Sequence, residues 1–484
     1  MPHLDRSSSH GDLLRWPVIG RLLRWRHART SLQLIALLIA TAVVLHGLFG
    51  PQIAPRNLAT VVTWVHYRGL LVVMLLAAGN FFCTGCPFVL VRDAGRRVRR
   101  PTRAWPARLR GKWIGVALFA GVLFTYELFD LWALPRATAW LVLAYFAAAL
   151  VIDLVFTGAS FCKHLCPIGQ FNFAASTLSP LELRVREPAV CGTCRTVDCI
   201  RGQRAPGAPT FVVQRGCELG LFLPAKVGNL DCTFCLDCVQ ACPHDNVAIA
   251  TRVPGAELLN GSRRSGIGRL GDRPDLAALA VLFAFGALVN ALAMTSPVYA
   301  LEQSIGRVMR VSSELPVLVV VFAAVLAIIP SVLLTGAATV SRLLTKSTDQ
   351  PLSLEVVNYA FALLPFGFGV WLAHYTFHLL TGLMTIVPVA QSAAVDLFGR
   401  AVLGEPLWRW GGLRPGAVFP VQIGFVLLGA LGSIAVAYGI SEREHADRPL
   451  LAAAPWAIVL LAMTATALWI LSSPMEMRAI GATG

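Results

Sequence analysis

Asp231-Cys232-Thr233-Phe234-Cys235-Leu236-Asp237-Cys238-Val239-Gln240-Ala241-Cys242-Pro243 decides how this chain is read. Four cysteines spaced by two, two and three residues and closed by a proline form the run that holds a [4Fe–4S] cube, three thiols in a tight loop and the fourth leaving on a helix. In two-cluster proteins that fourth thiol serves the other cube, so a second set is required. Cys191-x2-Cys194-x4-Cys199 with the remote Cys217 supplies it. The expected sets are Cys232, Cys235, Cys238 and Cys217 for one cluster, and Cys191, Cys194, Cys199 and Cys242 for the other. A zinc ribbon made from the same thiolates is the competing reading, but zinc ligands follow other spacings.

Outside this region the chain changes character. Of its 484 residues 56% are hydrophobic and 14% charged, with a mean hydropathy of +0.66, whereas soluble domains carry about 25% charged residues. A water-soluble enzyme is excluded. Apolar runs of about 20 residues, each able to cross a ~30 Å hydrocarbon core, fall near 31–50, 58–80, 113–134, 138–158, 275–297, 315–337, 357–386, 417–440 and 450–472. The first ends without a small-x-small cleavage site and is expected to remain as a helix.

The 41 basic residues exceed the 26 acidic ones by 15, and in such a chain this is first a topology signal. Between the second and third spans, Arg92 to Lys112 holds nine Lys/Arg against one acid, Asp93, which makes that loop cytoplasmic. The Arg-rich tail, Arg263/Arg264/Arg269/Arg273, Arg342/Lys346 and Arg443/Arg448 then share that side. Nucleic acid is set aside as a partner. The domains expected are a basic cytoplasmic tail (1–30), a four-helix membrane domain (31–179), a cytoplasmic two-cluster module (180–256) and a five-helix membrane domain (257–484), with the C-terminus periplasmic. Residues 389–416 read as the longest outer loop. No internal repeat is visible.

Four cysteines remain, in Cys83-Thr84-Gly85-Cys86-Pro87 and Cys162-Lys163-His164-Leu165-Cys166-Pro167. Each element follows an outside-to-inside span, and each second cysteine precedes a proline, the residue favoured at the first helical position. Cys86 and Cys166 are thus expected at helix N-termini, where the dipole favours thiolate. Together Cys83, Cys86, Cys162 and Cys166 are expected to form a third thiolate-bound metal centre or a redox-active thiol pair, against small buried cysteines in helix caps.

Cys162-Lys163-His164-Leu165-Cys166-Pro167-Ile168-Gly169, with the cube motifs downstream, resembles the C-x3-C-P-x-G element of the membrane-bound ferredoxin-type 4Fe-4S proteins of periplasmic nitrate-reductase and methylamine-utilisation systems. The nitrous-oxide-reductase regulator and the cytochrome-oxidase accessory polyferredoxin are relatives of that family. The resemblance covers roughly residues 60 to 250 and implies a redox role. Cys83-x2-Cys86 is one residue shorter than the family element, and Glu218 follows Cys217 where ferredoxins have proline.

His46, His66, His374 and His378 fall inside apolar spans, where an ionisable group is a functional candidate by default. His374 and His378, four residues apart, share a helix face and cannot both be trans axial ligands of one haem. Haem b would need one of them opposite His46 or His66. A metal site or a quinone pocket is the other functional reading, and histidines hydrogen-bonded within the bundle the bland one. Arg68 and Glu127 are expected at similar depth, as an ion pair or part of a proton route.

The sequence thus predicts an all-α polytopic membrane protein of about nine transmembrane helices, with a small inserted α+β bacterial-type two-cluster ferredoxin module. No substrate-converting constellation is present, neither P-loop nor nucleophile triad nor Gly-rich dinucleotide fingerprint, so no catalytic residue is assigned. The expected function is electron transfer across the cell inner membrane, linking the quinone pool or a periplasmic redox partner to a soluble cytoplasmic ferredoxin or flavoprotein. The alternative is a copper reductase or maturation factor for a respiratory metalloenzyme, whose soft thiolates would suit Cu(I). A redox-sensing membrane regulator is a third reading.

Overall fold

The computed structural model describes residues 11–205, 207–346 and 350–474; Arg6 of the basic tail lies outside them. Among the described residues, eight helices are long and apolar enough to cross a membrane: Ala28–Phe49, Leu58–Ala78, Pro135–Val155, Pro274–Leu292, Glu314–Thr345, Leu352–Thr381, Pro415–Glu444 and Pro449–Ser472. They make the chain a multi-pass membrane protein. The remaining expected span, 113–134, is a 16-residue helix, Trp113–Leu128, about 24 Å long and short of the ~30 Å core. It stops because Phe129 leaves helical geometry and Asp130 turns left-handed at φ 44°. Two further helices lie where none was foreseen: Ser296–Met309, and Ile386–Phe398 at the start of the expected outer loop.

Two compact units emerge. The first gathers the described residues up to Ile39, then Met74–Gly111 and Tyr145–Arg269. Within it, strand Leu181–Val185 pairs antiparallel with Val247–Thr251, Leu181 opposite Thr251 and Val185 opposite Val247, so the start and end of the cysteine-rich insert are stitched together. The amino-terminal segment joins this sheet. Asp12 accepts a hydrogen bond from the backbone N–H of Ile249 at 3.2 Å and pairs with Arg186 at 2.8 Å. Helix Pro17–Arg24 follows and exposes Trp16, Ile19, Leu22 and Trp25.

The second unit comprises Ala40–Val73, Lys112–Ala144 and the described residues from Leu270 onward. Helices Pro274–Leu292 and Leu363–Thr381 are its most enclosed elements, held together in part by the Trp371 indole N–H donating to the Phe283 carbonyl at 2.8 Å. Helix Pro415–Glu444 approaches Leu363–Thr381 through glycines on both sides: a Cβ at Gly369 would lie 2.5 Å from the Phe425 carbonyl, and one at Gly429 2.6 Å from that of Pro365. Only glycine permits that approach.

Candidate iron–sulfur centres

Short helices and left-handed turns aim the eight module cysteines. Leu236 (φ 63°) caps Asp237–Ala241, which carries Cys238, and Val197 (φ 47°) caps Asp198–Arg201, which carries Cys199. Asp231 and Phe234 are also left-handed, at φ 62° and 50°, so the backbone coils around Cys232 and Cys235. Non-glycine residues in this region are uncommon, and a β-branched valine there is an outlier. The two cysteine loops are therefore a geometric repeat, left-handed residue, aspartate, cysteine, which the unequal spacings Cys194-x4-Cys199 and Cys235-x2-Cys238 conceal in the sequence.

Hydrogen bonds and electrostatic coupling link several of the module thiols. Asn246 donates from its backbone N–H to Cys242 Sγ at 3.4 Å and from its side-chain amide to Cys191 Sγ at 3.3 Å, tying together two cysteines 51 positions apart in number, 242 less 191. Burial, then the charges of Cys242, Cys191 and Cys194, push the Cys199 thiol up to about 11. Burial pushes the Cys238 thiol well up, reinforced by Cys232 and Cys217. Cys217 is held by its N–H to the Cys199 carbonyl at 2.9 Å, so the remote cysteine of one set is anchored on the other. Among the described residues no three His, Cys, Asp or Glu side chains converge as they would around a single metal ion. Zinc, with Zn–S near 2.3 Å, would draw thiolates to roughly 4 Å of one another. Eight thiols, taken as two sets of four, are the donors that two cubes would require.

The two Cys-Pro elements, Cys83/Cys86 and Cys162/Cys166, are neighbours: Phe88, on the helix after Cys86, packs on the cluster that holds Cys166 and Cys162. Cys86 caps helix Pro87–Val98 and Cys166 caps Pro167–Ser176, as proline at the first position leads one to expect. The one-residue difference in spacing is absorbed by the turn: the Cys86 N–H bonds to the Cys83 carbonyl three residues back at 3.4 Å, whereas the Cys166 N–H reaches back five residues to Phe161 at 2.8 Å, across a π-helical stretch, Phe161–Leu165. Cys166 Sγ accepts from the Gly169 N–H at 3.2 Å and Cys83 Sγ from the Asn172 amide at 3.4 Å.

Beside them lies an ion network that sequence reading missed. The buried Arg92 meets Asp93 at 2.8 Å, Asp153 at 3.2 Å and Glu218 at 2.8 Å; Arg96 meets Glu218 at 2.9 Å and Arg215 meets Asp93 at 2.9 Å. Glu218, the residue standing in place of proline, is thus a hub. Burial opposes its ionisation, but Arg92, Arg215 and Arg96 outweigh burial and hold its carboxyl below the usual range. Asn80 and Thr84 were missed as well. Asn80 donates to the Cys232 carbonyl at 3.0 Å and Thr84 to the Phe234 carbonyl at 2.6 Å.

The four intramembrane histidines divide. His46 Nδ1 accepts the Leu58 N–H at 3.0 Å and Nε2 lies 3.0 Å from Asp396. His66 places its nitrogens 3.1 Å from the Val61 carbonyl and 3.3 Å from that of Leu383. Each nitrogen of both rings thus has a polar neighbour, and a neutral His66 can donate to only one of its two carbonyls. His374 is buried with neither nitrogen bonded, and His378 Nε2 has no partner; their rings stand 4.9 Å apart. Arg68 stacks over Trp64, Tyr126 and Tyr375 and donates to the Tyr126 hydroxyl at 3.2 Å, while Glu127 accepts from Asn290 at 3.4 Å. Aromatic faces, not the expected carboxylate, answer the guanidinium charge.

No protein-family profile matches the chain, and no solved structure matches it. Curated relatives do. The ferredoxin-type protein NapH of Escherichia coli is 26% identical over 195 residues, 37% of this chain and 65% of NapH. The regulatory protein NosR of Stutzerimonas stutzeri is 23% identical over 195 residues and that of Pseudomonas aeruginosa 26% over 194, in each case 36% of this chain and 25% of NosR. The chain thus spans less than two thirds of each of these relatives. The resemblance carried by the Cys-Pro elements and the cube motifs holds: over rather more than a third of its length, the chain is similar to membrane-associated ferredoxin-type electron-transport proteins.

Proposed function

We propose that the chain is an integral-membrane iron–sulfur electron carrier of the inner membrane, joining the quinone pool or a periplasmic redox partner to a soluble cytoplasmic ferredoxin or flavoprotein. The observation that carries this reading is the interleaving of the two cysteine sets, in which Asn246 bridges Cys191 and Cys242 and the Cys217 N–H is anchored on the Cys199 carbonyl. Bound cubes would supply one-electron transfer. The residues do the rest: left-handed turns orient thiols, backbone and amide N–H groups point at sulfur, and the apolar loop around Phe234 excludes water. In this reading the module and the N-terminus face the cytoplasm, with the C-terminus periplasmic. The basic loops there would steer an acidic partner.

The test is anaerobic purification followed by iron and sulfide assay and low-temperature EPR after dithionite. About eight irons from the module with cubane signals are expected; colourless, zinc-loaded protein would overturn the reading. The copper-maturation alternative predicts that electron flow survives loss of Cys83 and Cys162 while a client enzyme stays without metal.

A further inference from the structure

We propose that Cys83, Cys86, Cys162 and Cys166 hold a third iron–sulfur cluster, adjacent to the one assigned to Cys217, Cys232, Cys235 and Cys238 and exchanging electrons with it. This rests on the electron-carrier reading above and adds a site to it.

Three observations support it. First, the four thiols act as one set across both Cys-Pro elements and not as two separate pairs. Asn172, on the helix that Cys166 caps, donates to Cys83 Sγ at 3.4 Å, and Phe88, on the helix that Cys86 caps, packs on the cluster that holds Cys166 and Cys162. A dithiol switch would need only one element. Second, the surroundings suit a buried anionic cluster. Phe88, Tyr145, Ile152, Leu165 and Ile168 close around the site. Two helix N-termini with proline at their first positions face it, Arg92 lies within electrostatic reach, and N–H groups of Gly169 and Asn172 point at sulfur. Asn80 and Asn172 leave their amide oxygens without a partner in a buried setting, so both amides are turned by their N–H groups toward cysteine atoms at the expense of their oxygens. Third, the donors offered are four thiols, the ligand set by which iron–sulfur clusters are held.

The position is specific. Asn80 and Thr84 clamp the backbone of Cys232 and Phe234, Phe81 packs on Phe234 with ring centroids 5.3 Å apart, and the Cys83 thiol feels the charge of Cys232. The step is a one-electron exchange: one centre is oxidised as the other is reduced, with no bond made or broken and no proton required.

The test uses the full chain, purified anaerobically, alongside a Cys83→Ser/Cys166→Ser variant and a Cys191→Ser/Cys194→Ser variant. The proposal expects about ten to twelve irons per chain in the parent, against about eight for the module alone. Cys83→Ser/Cys166→Ser should lose two to four of them, roughly, while retaining the module's EPR signals. Those retained signals show that the variant folds, and should that variant not fold, the parent's iron count and Mössbauer spectrum decide alone. About eight irons in the parent, or stoichiometric copper or zinc lost on substitution, would overturn the third cluster while leaving the carrier reading intact. Fewer than eight irons, insensitive to Cys191→Ser/Cys194→Ser, would overturn both.

Discussion

The two module thiol sets differ in what surrounds them. Cys232 and Cys238 are buried, and the loop between them includes Phe234 at 0% exposure. Asn80 and Thr84 brace it from behind. Cys191, Cys194 and Cys199 are only partly buried, with Gly192, Thr193, Arg195 and Thr196 open to solvent. Two of the four thiols of the first set are buried, Cys217 and Cys235 being partly so, whereas none of the second set is. Under the proposed function, the more enclosed set would be shielded from direct encounter with a soluble partner, and the more open set would be where such a partner meets the chain.

The sharpest way to break this comparison is to remove a thiol from each set. Cys232→Ser with Cys235→Ser should abolish the folded module, since the enclosed loop organises its neighbours; Cys194→Ser should cost iron and leave protease resistance close to that of the parent. Equal damage from both would erase the distinction. Next in size, Arg92→Ala strands Asp93, Asp153 and Glu218 without their shared cation, and breaking a buried network of this kind costs about 3–5 kcal/mol, measurable as a lowered thermal midpoint.

The same network gives a pH dependence. Burial works against ionisation of Asp93 and Glu218, but the arginines prevail and both carboxyls titrate below their ordinary values. Carboxyls depressed on folding stabilise above the unfolded pKa, near 3.9–4.3, and that contribution fades as pH falls through the lower folded values. Acid titration of the parent should therefore show a stability loss below about pH 4 that Glu218→Gln blunts. A smaller effect is expected of Asn246→Ala, which removes the N–H donor to Cys191 but keeps the backbone bond to Cys242: a loss of about 1.5–3 kcal/mol at most, with a lowered potential of the surface cluster alone. Finally, in metal-free protein, alkylation should reach Cys194 first, because backbone and Thr196 hydrogen bonds lower its thiol, and Cys166, Cys235 and Cys238 late, because burial pushes their thiols well up.

Much of this was legible in the sequence, because cysteine spacing and apolar run length are local patterns. The Cys232–Pro243 run pointed to the ferredoxin-type likeness that the curated relatives bear out, and eight of nine expected spans are long apolar helices. What stayed hidden depends on contacts made far along the chain. Asn246 is four residues past a cysteine but acts on another 55 positions away. Glu218 looked like a missing proline and proved to be the partner of three arginines. The shortened third span ends on a left-handed aspartate that hydropathy does not see, and the loop repeat was masked because a left-handed turn, not residue number, sets where each thiol points.

The seating of Asp12 on Ile249 sets an order of assembly. These partners are separated by 237 positions, so the ribosome must release almost the whole cysteine-rich insert before the amino terminus can dock. Helix Ala28–Phe49 would by then have left the ribosome, and the docked segment becomes a late latch closing over a module already made. Deleting residues up to Asp12 should accordingly spare insertion into the bilayer and leave the finished module easier to pry open.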